Sequence, residues 1–149
     1  MSAFTIEQAN VSNAPECAVV LRSTRKHSLP YLPDLHRSDE DVGFLRDRVF
    51  PTNTVFVALD SARKIVGFIA FSKDWVNHLY VLPGSQRSGI GKRLLQQAMQ
   101  QSPTLKLWTF ERNTDARRFY QSQGFAVVER TDGAQNEEKE PDLLLQWKG

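Results

Sequence analysis

The sequence predicts a mixed α/β fold in which one sheet carries helices on both faces. Segments with the alternation or short apolar runs of strands are interspersed with segments whose apolar residues recur at helical spacing, and no internal repeat interrupts them. The chain has 149 residues, of which 40% are hydrophobic and 24% charged, as in ordinary globular domains. We therefore expect a single domain over residues 1–149.

A short strand and two helices are predicted in the first third of the chain. The strand is expected at Phe4–Gln8. Asn13 is a helix-capping residue type, and the apolar stripe that follows it fades near Lys26–Leu29. A second helix begins at Ser38–Asp41, whose carboxylates suit the positive end of a helix dipole, and Pro51 ends it. The prolines between the two helices predict a loop.

The rest of the chain alternates strands with two further helices. Asp60–Arg63 is typical of a hairpin turn, Pro83 stops a strand, and Gly124 closes the last helix. The expected elements are strands at Thr54–Leu59, Lys64–Ser72 and Trp75–Leu82, a helix at Ser88–Gln101, a strand at Leu105–Phe110, a helix at Thr114–Gln123, and strands at Phe125–Glu129 and Leu143–Trp147.

Charge and cysteine content argue against several classes of protein. The 19 Lys and Arg against 17 Asp and Glu give a net charge of +2, too small to indicate nucleic-acid binding. Cys17 is the single cysteine, so no intrachain disulfide is possible, and no metal-ligand spacing exists. The longest apolar run, Ile65–Phe71, is too short to span a membrane, and no secretory signal is apparent. We expect a cytoplasmic protein with no metal and no nucleic-acid or membrane partner.

The segment Leu79–Leu95 carries the most informative pattern. A strand enters a loop that contains Gly89 and Gly91, and the loop opens a helix. Amides at a helix start lack internal partners and carry positive partial charge, while glycines let a ligand approach the backbone. The pattern predicts a phosphate or pyrophosphate site, although the glycines also suit a plain strand-to-helix turn. The Walker loop and the dinucleotide fingerprint do not fit, since Ile90 and Leu94 replace their required Lys and Gly.

Two motifs resemble those of the GNAT superfamily of N-acetyltransferases. Gln86-x-x-Gly89-x-Gly91, after a strand ending in Leu-Tyr-Val, resembles the acetyl-CoA signature Gln/Arg-x-x-Gly-x-Gly/Ala of that superfamily. The second motif, which resembles its later block, is Asn113-x-x-Ala116-x-x-Phe119-Tyr120-x-x-x-Gly124-Phe125. The order of predicted elements matches over nearly the whole chain. The resemblance implies a mostly antiparallel sheet of six to seven strands with a central splayed parallel pair, and a possible homodimer.

The resemblance assigns acetyl-CoA, without a metal, to the splayed strands and the glycine loop. The backbone of Leu79–Val81 would bond the pantetheine arm, and the amides of Arg87–Lys92 would hold the pyrophosphate. Asn113 would bond the pantetheine, cap the next helix, or do both. The implied cofactor-binding residues are Leu79, Tyr80, Val81, Gln86, Arg87, Ser88, Gly89, Ile90, Gly91, Lys92, Asn113 and Tyr120.

Tyr120 is the general acid that the resemblance implies. Direct acetyl transfer needs a neutral amine and a proton for the departing CoA thiolate, which a nearby phenol can supply. Taken alone, Tyr120 could instead pack on the apolar helix face with Ala116 and Phe119. Cys17 lies on a helix stripe away from both motifs, which favours direct transfer over an acyl-enzyme.

The general base is left open among His78, Glu111 and ordered water. GNAT enzymes often carry a glutamate early on the second splayed strand, but that position is Trp108. His78 has a suitable pKa, yet it can also be a core histidine, and Glu111 can be a solvated loop carboxylate. Strand alternation places two sets of side chains on opposite faces: Trp75, Asn77, Leu79 and Val81 against Val76, His78 and Tyr80.

Three segments are expected to form the acceptor pocket: Tyr31–His36, the strand residues Trp75 and Asn77, and the hairpin loop Asn136–Asp142. Carboxylates in that loop would attract a cationic amine, unless the loop is simply a solvated charged loop. The candidate substrate-binding residues are Tyr31, His36, Trp75, Asn77 and Glu137.

The expected function is acetyl-CoA-dependent transfer of an acetyl group to a primary amine of a small molecule or peptide, with Tyr120 as general acid. The alternative is a non-catalytic CoA-binding regulatory module with the same fold. The lack of a carboxylate at Trp108 is the feature that favours this alternative.

Overall fold

The computed structural model describes residues 4–31, 37–86 and 88–149, and every predicted helix and strand is present. Within these residues no helix is long and apolar enough to cross a membrane. The elements are β1 (Phe4–Gln8), a 3-10 turn (Val11–Asn13), α1 (Ala14–Ser28), α2 (Ser38–Phe44) with a π-helical extension (Leu45–Val49), β2 (Thr54–Asp60), β3 (Ile65–Ser72), β4 (Trp75–Val81), a 3-10 turn (Pro83–Ser85), α3 (Ile90–Met99), β5 (Thr104–Phe110), α4 (Thr114–Ser122), β6 (Ala126–Thr131) and β7 (Asp142–Lys148).

The seven strands form one sheet in the order β1-β2-β3-β4-β5-β7-β6. All neighbours are antiparallel except β4 and β5, which are parallel and share a single register pair, Trp75 with Lys106. The expected mixed α/β sheet with a central splayed parallel pair is therefore confirmed. The last strand, β7, lies between β5 and β6.

Two hydrophobic cores lie on the opposite faces of the sheet. On one face, α3 and α4 cover the sheet, and Leu94, Leu95 and Tyr120 belong to that core. On the other face, α1 and the π-helical extension of α2 contribute Val20 and Leu45, among others. Cys17 lies fully buried in this second core, and burial raises the pKa of its thiol to about 12, so the thiolate is not formed at neutral pH.

The start of α1 differs from the prediction. Asn13 does not cap α1 with its side chain. Its side-chain oxygen instead accepts a hydrogen bond from the Asn10 amide at 3.1 Å, while the Asn10 side chain accepts one from the Ser12 amide at 3.0 Å. The capping box therefore belongs to the 3-10 turn just before α1. It supplies partners to backbone amides at the start of that turn, which have none within the turn itself.

The predicted alternation along β4 was wrong because the strand contains a β-bulge. Ala70 of β3 faces His78, but Phe71 faces Val76, so Asn77 has no partner opposite it. The extra residue reverses the alternation. Val76 therefore packs in the same core as Leu79 and Val81, rather than on the face that holds Tyr80.

We predict that neighbouring valines of α1 differ sharply in their effect on stability. Val20 is 1% exposed and Val19 is 59% exposed. Val20→Ala should lower the free energy of unfolding by about 2 kcal/mol, because it removes two buried methyl groups and leaves a cavity. Val19→Ala should change it by less than about 0.5 kcal/mol. Urea unfolding followed by circular dichroism measures both, and equal losses would contradict the packing of α1 described above.

Candidate functional site

A cleft opens where β4 and β5 diverge beyond their single shared pair. Its volume is about 590 Å³, and its walls come from both strands and from the starts of α3 and α4. Residues from both faces of the sheet reach it, including Thr24 of α1 and Tyr120 of α4. The cleft therefore passes through the plane of the sheet and joins its two sides.

The backbone of Leu79 faces the cleft. The Leu82 amide donates to the Val66 carbonyl at 2.8 Å, and Tyr80 pairs with Phe68 two residues earlier. Because hydrogen-bonded pairs alternate in an antiparallel ladder, the backbone groups of Tyr80 bond to β3, whereas those of Leu79 and Val81 point towards β5. The expected backbone contact of Tyr80 with a ligand is thus wrong for this residue.

The Val81 carbonyl is already engaged by two side chains. It accepts hydrogen bonds from Thr24 Oγ1 at 3.2 Å and from Gln86 Nε2 at 3.0 Å. Gln86, the first residue of the glycine motif, therefore ties the loop back to β4. Among the three residues expected to bind a ligand through the β4 backbone, Leu79 is the one whose N–H and C=O both remain directed at the cleft.

The start of α3 presents its amides at the mouth of the cleft. Gly89 immediately precedes the helix with φ 86°, in the left-handed region that glycine alone adopts without strain. The amides of Ile90, Gly91 and Lys92 lack intrahelical partners, as in any first turn. A Cβ on Gly91 would lie 3.3 Å from the Phe119 ring, so this glycine lets α3 approach α4 closely. Ser88 Oγ bonds the Ser85 carbonyl at 2.5 Å, and Arg87 lies outside the described residues.

Tyr120 lines the cleft from the α4 side and is 9% exposed. Its ring packs edge-on against Phe119 and Phe125, with centroids 5.2 and 5.5 Å away. Burial raises the pKa of its phenol well above the ordinary value, and the nearby Tyr80 adds to this effect. The hydroxyl therefore keeps its proton at neutral pH, the state that a general acid needs.

Asn113 both caps α4 and lines the cleft. Its Oδ1 accepts a hydrogen bond from the Ala116 amide at 3.2 Å. Its side chain is also part of the cleft wall. The capping role considered from the sequence is therefore present, and it leaves the side-chain NH₂ group as the donor available to a ligand.

His78 lines the cleft on the side of α1 and α2. Its Nδ1 is buried without a hydrogen-bond partner among the described residues, and the Phe44 ring lies edge-on at 5.7 Å. Burial lowers the pKa of its imidazole to about 4, and the positive charge of Arg25 contributes. His78 is thus neutral at physiological pH and a weak proton acceptor.

Glu111 lies outside the cleft wall, and so does not meet the other candidate catalytic residues. Its carboxylate accepts two hydrogen bonds from Arg130, at 2.8 and 2.9 Å. This contact lowers the pKa of Glu111 below its usual value. Trp108, which occupies the position where a glutamate was sought, lines the cleft with 45% of its surface exposed.

The structure brings together some of the candidate substrate-binding residues. Asn77 lines the cleft, and its side-chain NH₂ group donates a hydrogen bond to Asn53 Oδ1 at 2.7 Å. Trp75 lies outside the cleft wall, with the centre of its ring 5.7 Å from Lys106 Nζ. Tyr31 also lies outside that wall, although its hydroxyl is buried with no hydrogen-bond partner among the residues that the structure describes. His36 lies outside the described residues.

Carboxylates of the β6–β7 loop form ion pairs rather than remaining free in solvent. Glu138 lies 3.4 Å from Arg25 Nη2, and Glu140 lies 3.1 Å from Arg112 Nη1. The Arg112 guanidinium stacks 3.9 Å from the centre of the Tyr31 ring. Glu137 also interacts with a neighbouring group. The loop is therefore neither a set of free carboxylates that could all attract a cationic amine nor a fully solvated charged loop.

The sequence reasoning missed the Tyr80 side chain, and it missed Arg25, which lies outside the cleft wall and pairs with Glu138. Tyr80 was considered only for its backbone, but its ring lines the cleft. Arg25 follows Leu21, a member of the buried stripe of α1, by four residues. A cation that continues an apolar stripe by one turn was the available signal.

Comparisons with known proteins agree with this geometry. The sequence model described as "Acetyltransferase (GNAT) domain" matches residues 51–127. The chain is 34% identical over 85 residues to the peptidyl-lysine N-acetyltransferase YiaC of Escherichia coli, and 32% identical over 82 residues to YjaB of Salmonella typhimurium, which carries the same description. These alignments cover 56% and 55% of this chain and 57% of each relative, so the similarity spans little more than half the length of the curated relatives.

Two solved structures share the fold at low sequence identity. The solution structure of apo-form YjaB from Escherichia coli has a TM-score of 0.81 at 22% identity, and 99% of both chains are covered. The crystal structure of the PaiA N-acetyltransferase from Thermoplasma acidophilum in complex with coenzyme A has a TM-score of 0.78 at 18% identity, again with 99% of both chains covered.

We predict that His78 makes stability depend on pH between 6.5 and 4. Its pKa falls from 6.5 to about 4 on folding, so in this range the unfolded chain binds a proton there and the folded chain does not. The stabilising effect is complete above pH 6.5 and is lost as the pH falls through 4, at about 1.4 kcal/mol per pH unit. Urea unfolding at several pH values should show that the free energy of unfolding depends less on pH in His78→Gln than in the unaltered protein. Parallel curves for the two proteins would refute the lowered pKa of His78.

Proposed function

The chain belongs to the GNAT acetyltransferase family, and from this premise we propose that it transfers the acetyl group of acetyl-CoA to a primary amine, with a peptide lysine as the favoured acceptor. One observation carries the proposal: the first backbone amides of α3 and a buried, protonated phenol, Tyr120, line the same cleft between β4 and β5. The names of the two curated relatives support lysine as the acceptor.

The residues present fit acetyl-CoA as a cosubstrate. The left-handed Gly89 and the free amides of Ile90, Gly91 and Lys92 form a concave site for a pyrophosphate. The Lys92 side chain, which lines the cleft, adds a positive charge. The N–H and C=O of Leu79 suit an amide-containing arm that takes the place of a missing neighbouring strand.

Each residue of the cleft then has a chemical task. Acetyl-CoA supplies an acetyl thioester, which a neutral amine can attack. The amides of α3 and the backbone of Leu79 hold the cosubstrate, and Asn113 contributes its NH₂ group. Tyr120 donates the proton of its hydroxyl to the sulfur that leaves, since a phenol carries its proton at neutral pH. The proton that the amine nitrogen loses as the amide forms returns to Tyr120 through water, so the hydroxyl is restored after each turnover. The inert Cys17 thiol takes no part, which agrees with direct transfer.

The acceptor enters from the face that α1 and α2 cover. On that face the cleft wall includes Asn77, His78 and Trp108. Trp108 keeps 45% of its surface exposed, so it offers an apolar platform for the methylene chain of a lysine. Tyr31 and the ion pair between Arg112 and Glu140 lie nearby, around the loop that precedes β7.

The activity is tested with a lysine-containing peptide, acetyl-CoA and a reagent for free thiol. The N-terminus of the peptide is blocked, and a peptide with arginine in place of lysine is the control for the reactive amine. A panel of small primary amines distinguishes a peptide acceptor from a small molecule. A thermal midpoint that rises with acetyl-CoA while no amine releases thiol would favour the non-catalytic CoA-binding module instead.

We predict that Tyr120→Phe lowers kcat by about 100-fold or more, because the general acid is removed while the ring and its packing stay. The rise in thermal midpoint with acetyl-CoA should stay close to that of the unaltered protein. Steady-state kinetics and thermal melts measure the two quantities. An unchanged kcat would remove Tyr120 from the mechanism, and loss of the midpoint shift would assign it to binding.

We predict that Gly89→Ala weakens CoA binding by about tenfold, because alanine leaves the left-handed conformation and regaining it costs about 1–2 kcal/mol. Gly84→Ala is the matched control, since Gly84 has no positive φ and a Cβ there meets no atom within 4 Å. Isothermal titration with CoA gives both affinities. Equal affinities of the two variants would show that the Gly89 backbone is not part of the cradle.

A further inference from the structure

A row of three side chains crosses the sheet from the cleft to the edge strand β6. Leu143 and Leu145 of β7 pack in the core that α3 and α4 cover, so Leu144 between them lies on the opposite face. Leu144 pairs with Trp108 of β5 on one side and with Glu129 of β6 on the other, and paired residues of antiparallel strands share a face. Among the described residues, the core beneath α1 contains no side chain from β5, β6 or β7. Trp108, Leu144 and Glu129, the cross-strand row, therefore lie outside both cores.

The cross-strand row offers apolar surface next to the cleft and a carboxylate at its far end. Trp108 lines the cleft and is 45% exposed, and Leu144 is half-buried. Glu129 is exposed and forms no hydrogen bond or ion pair with any residue that the structure describes. The next residue, Arg130, bonds to Glu111 on the other face of the sheet, so it does not satisfy the Glu129 carboxylate.

The charges around the cross-strand row are unevenly placed. Asp142, which precedes Leu144 by two residues on the same face of β7, accepts a hydrogen bond from the Thr131 hydroxyl and adds a second carboxylate. Lys106 lies two residues before Trp108 on β5, beside the Trp75 ring. The side of the row next to β6 and the β6–β7 loop is therefore negative, so it attracts a cationic group and repels a carboxylate.

The spacing of the strands sets the distance that a bound peptide must cover. Neighbouring strands lie about 4.8 Å apart, so Trp108 on β5 and Glu129 on β6 are separated by two spacings, about 10 Å. An extended peptide advances about 3.4 Å per residue, so three or four residues cover that distance. The proposed function places the methylene chain of the acceptor lysine on Trp108, and the row leads from there away from the cleft.

We propose that the cross-strand row is the docking surface for the residues that flank the acceptor lysine, and that it selects an apolar residue two positions from the lysine and a basic residue three or four positions from it. The proposal rests on the proposed function. Two observations carry it: Trp108 belongs to both the cleft wall and the row, and the exposed Glu129 carboxylate has no partner among the described residues. The apolar residue packs on Leu144, and the cation pairs with Glu129.

The first test exchanges charges between the peptide and the protein. Peptides blocked at both ends carry one lysine and two arginines at the third and fourth positions from it, and matched peptides carry two glutamates there. One set places the pair before the lysine and another after it, because the row sets the distance and not the chain direction. In one set, KM at saturating acetyl-CoA should be about fivefold lower for the arginine peptide, and Glu129→Lys should reverse this preference.

Glu16→Lys is the matched control for this test. Glu16 is an exposed carboxylate in the first turn of α1, and its substitution changes the net charge by the same amount as Glu129→Lys. The control should keep the preference for arginine. A preference that is absent from both sets, equal in both sets, or reversed in Glu16→Lys as well would overturn the proposal, since pairing at Glu129 predicts none of these results.

The second test concerns Leu144. Leu144→Gln should raise KM about threefold for a peptide with leucine two positions from the lysine, and should change it little for a peptide with glycine there. Val127→Gln is the matched control, because Val127 is 43% exposed and pairs with Leu145, on the opposite face. A thermal midpoint that rises with acetyl-CoA shows that each variant is folded. Equal effects of Leu144→Gln on the two peptides would overturn the proposal.

A second copy of the chain is the competing occupant of the cross-strand row. Light scattering at the concentrations of the kinetic assays measures the oligomeric state of each variant. A dimer that dissociates in Leu144→Gln or Glu129→Lys, while KM for the peptides stays the same, would assign the row to that copy and overturn the proposal. Absence of turnover with every lysine peptide would instead refute the proposed function, so the two failures are distinguishable.

Discussion

The separation of β4 from β5 is the constraint on which the site depends. Two parallel strands in the middle of a sheet normally share a full ladder, but these share one register pair. Backbone groups that lack a neighbouring strand need other partners, and water or a bound molecule can supply them in this gap. Since the strands are parallel, their carboxyl ends meet at one edge, and α3 and α4 both start there. The free amides and the Asn113 cap therefore come together at the wide end of the same gap.

The bulge at Asn77 determines which side chains of β4 lie on each face of the sheet beside the gap. It turns His78 and Tyr80 towards α1, whereas Val76, Leu79 and Val81 complete the core under α3. The phenol of Tyr120 thus approaches from one side, in an apolar environment that keeps it protonated. The opposite side carries the imidazole of His78, whose pKa is lowered by burial. A proton donor and a site that disfavours protonation face each other across the plane of the sheet.

Most of the fold could be predicted because its signals are local. Strand alternation, the glycines around α3 and Gly124 after α4 depend on neighbouring residues, and each element was found within a few positions of its bounds. The bulge could not be predicted, since it depends on the register of β3 against β4 and leaves no mark in the composition of either strand. The ion pairs of Glu138 and Glu140 join residues far apart in sequence, so the loop looked merely acidic. The pairing of Glu111 with Arg130 could not be predicted for the same reason, because Arg130 lies 19 positions away.

The position of β7 has a consequence for the order of events during synthesis. Because β7 lies between β5 and β6, neither strand has its partner until residues 142–148 have left the ribosome. Leu143 and Leu145 of β7 also complete the core that contains Tyr120. The half of the sheet from β1 to β4 pairs through hairpins and sequential neighbours, and so can assemble earlier. The nascent chain therefore leaves one backbone edge of β5 unpaired until residues 142–148 are available, and the sheet around the cleft is completed late in folding.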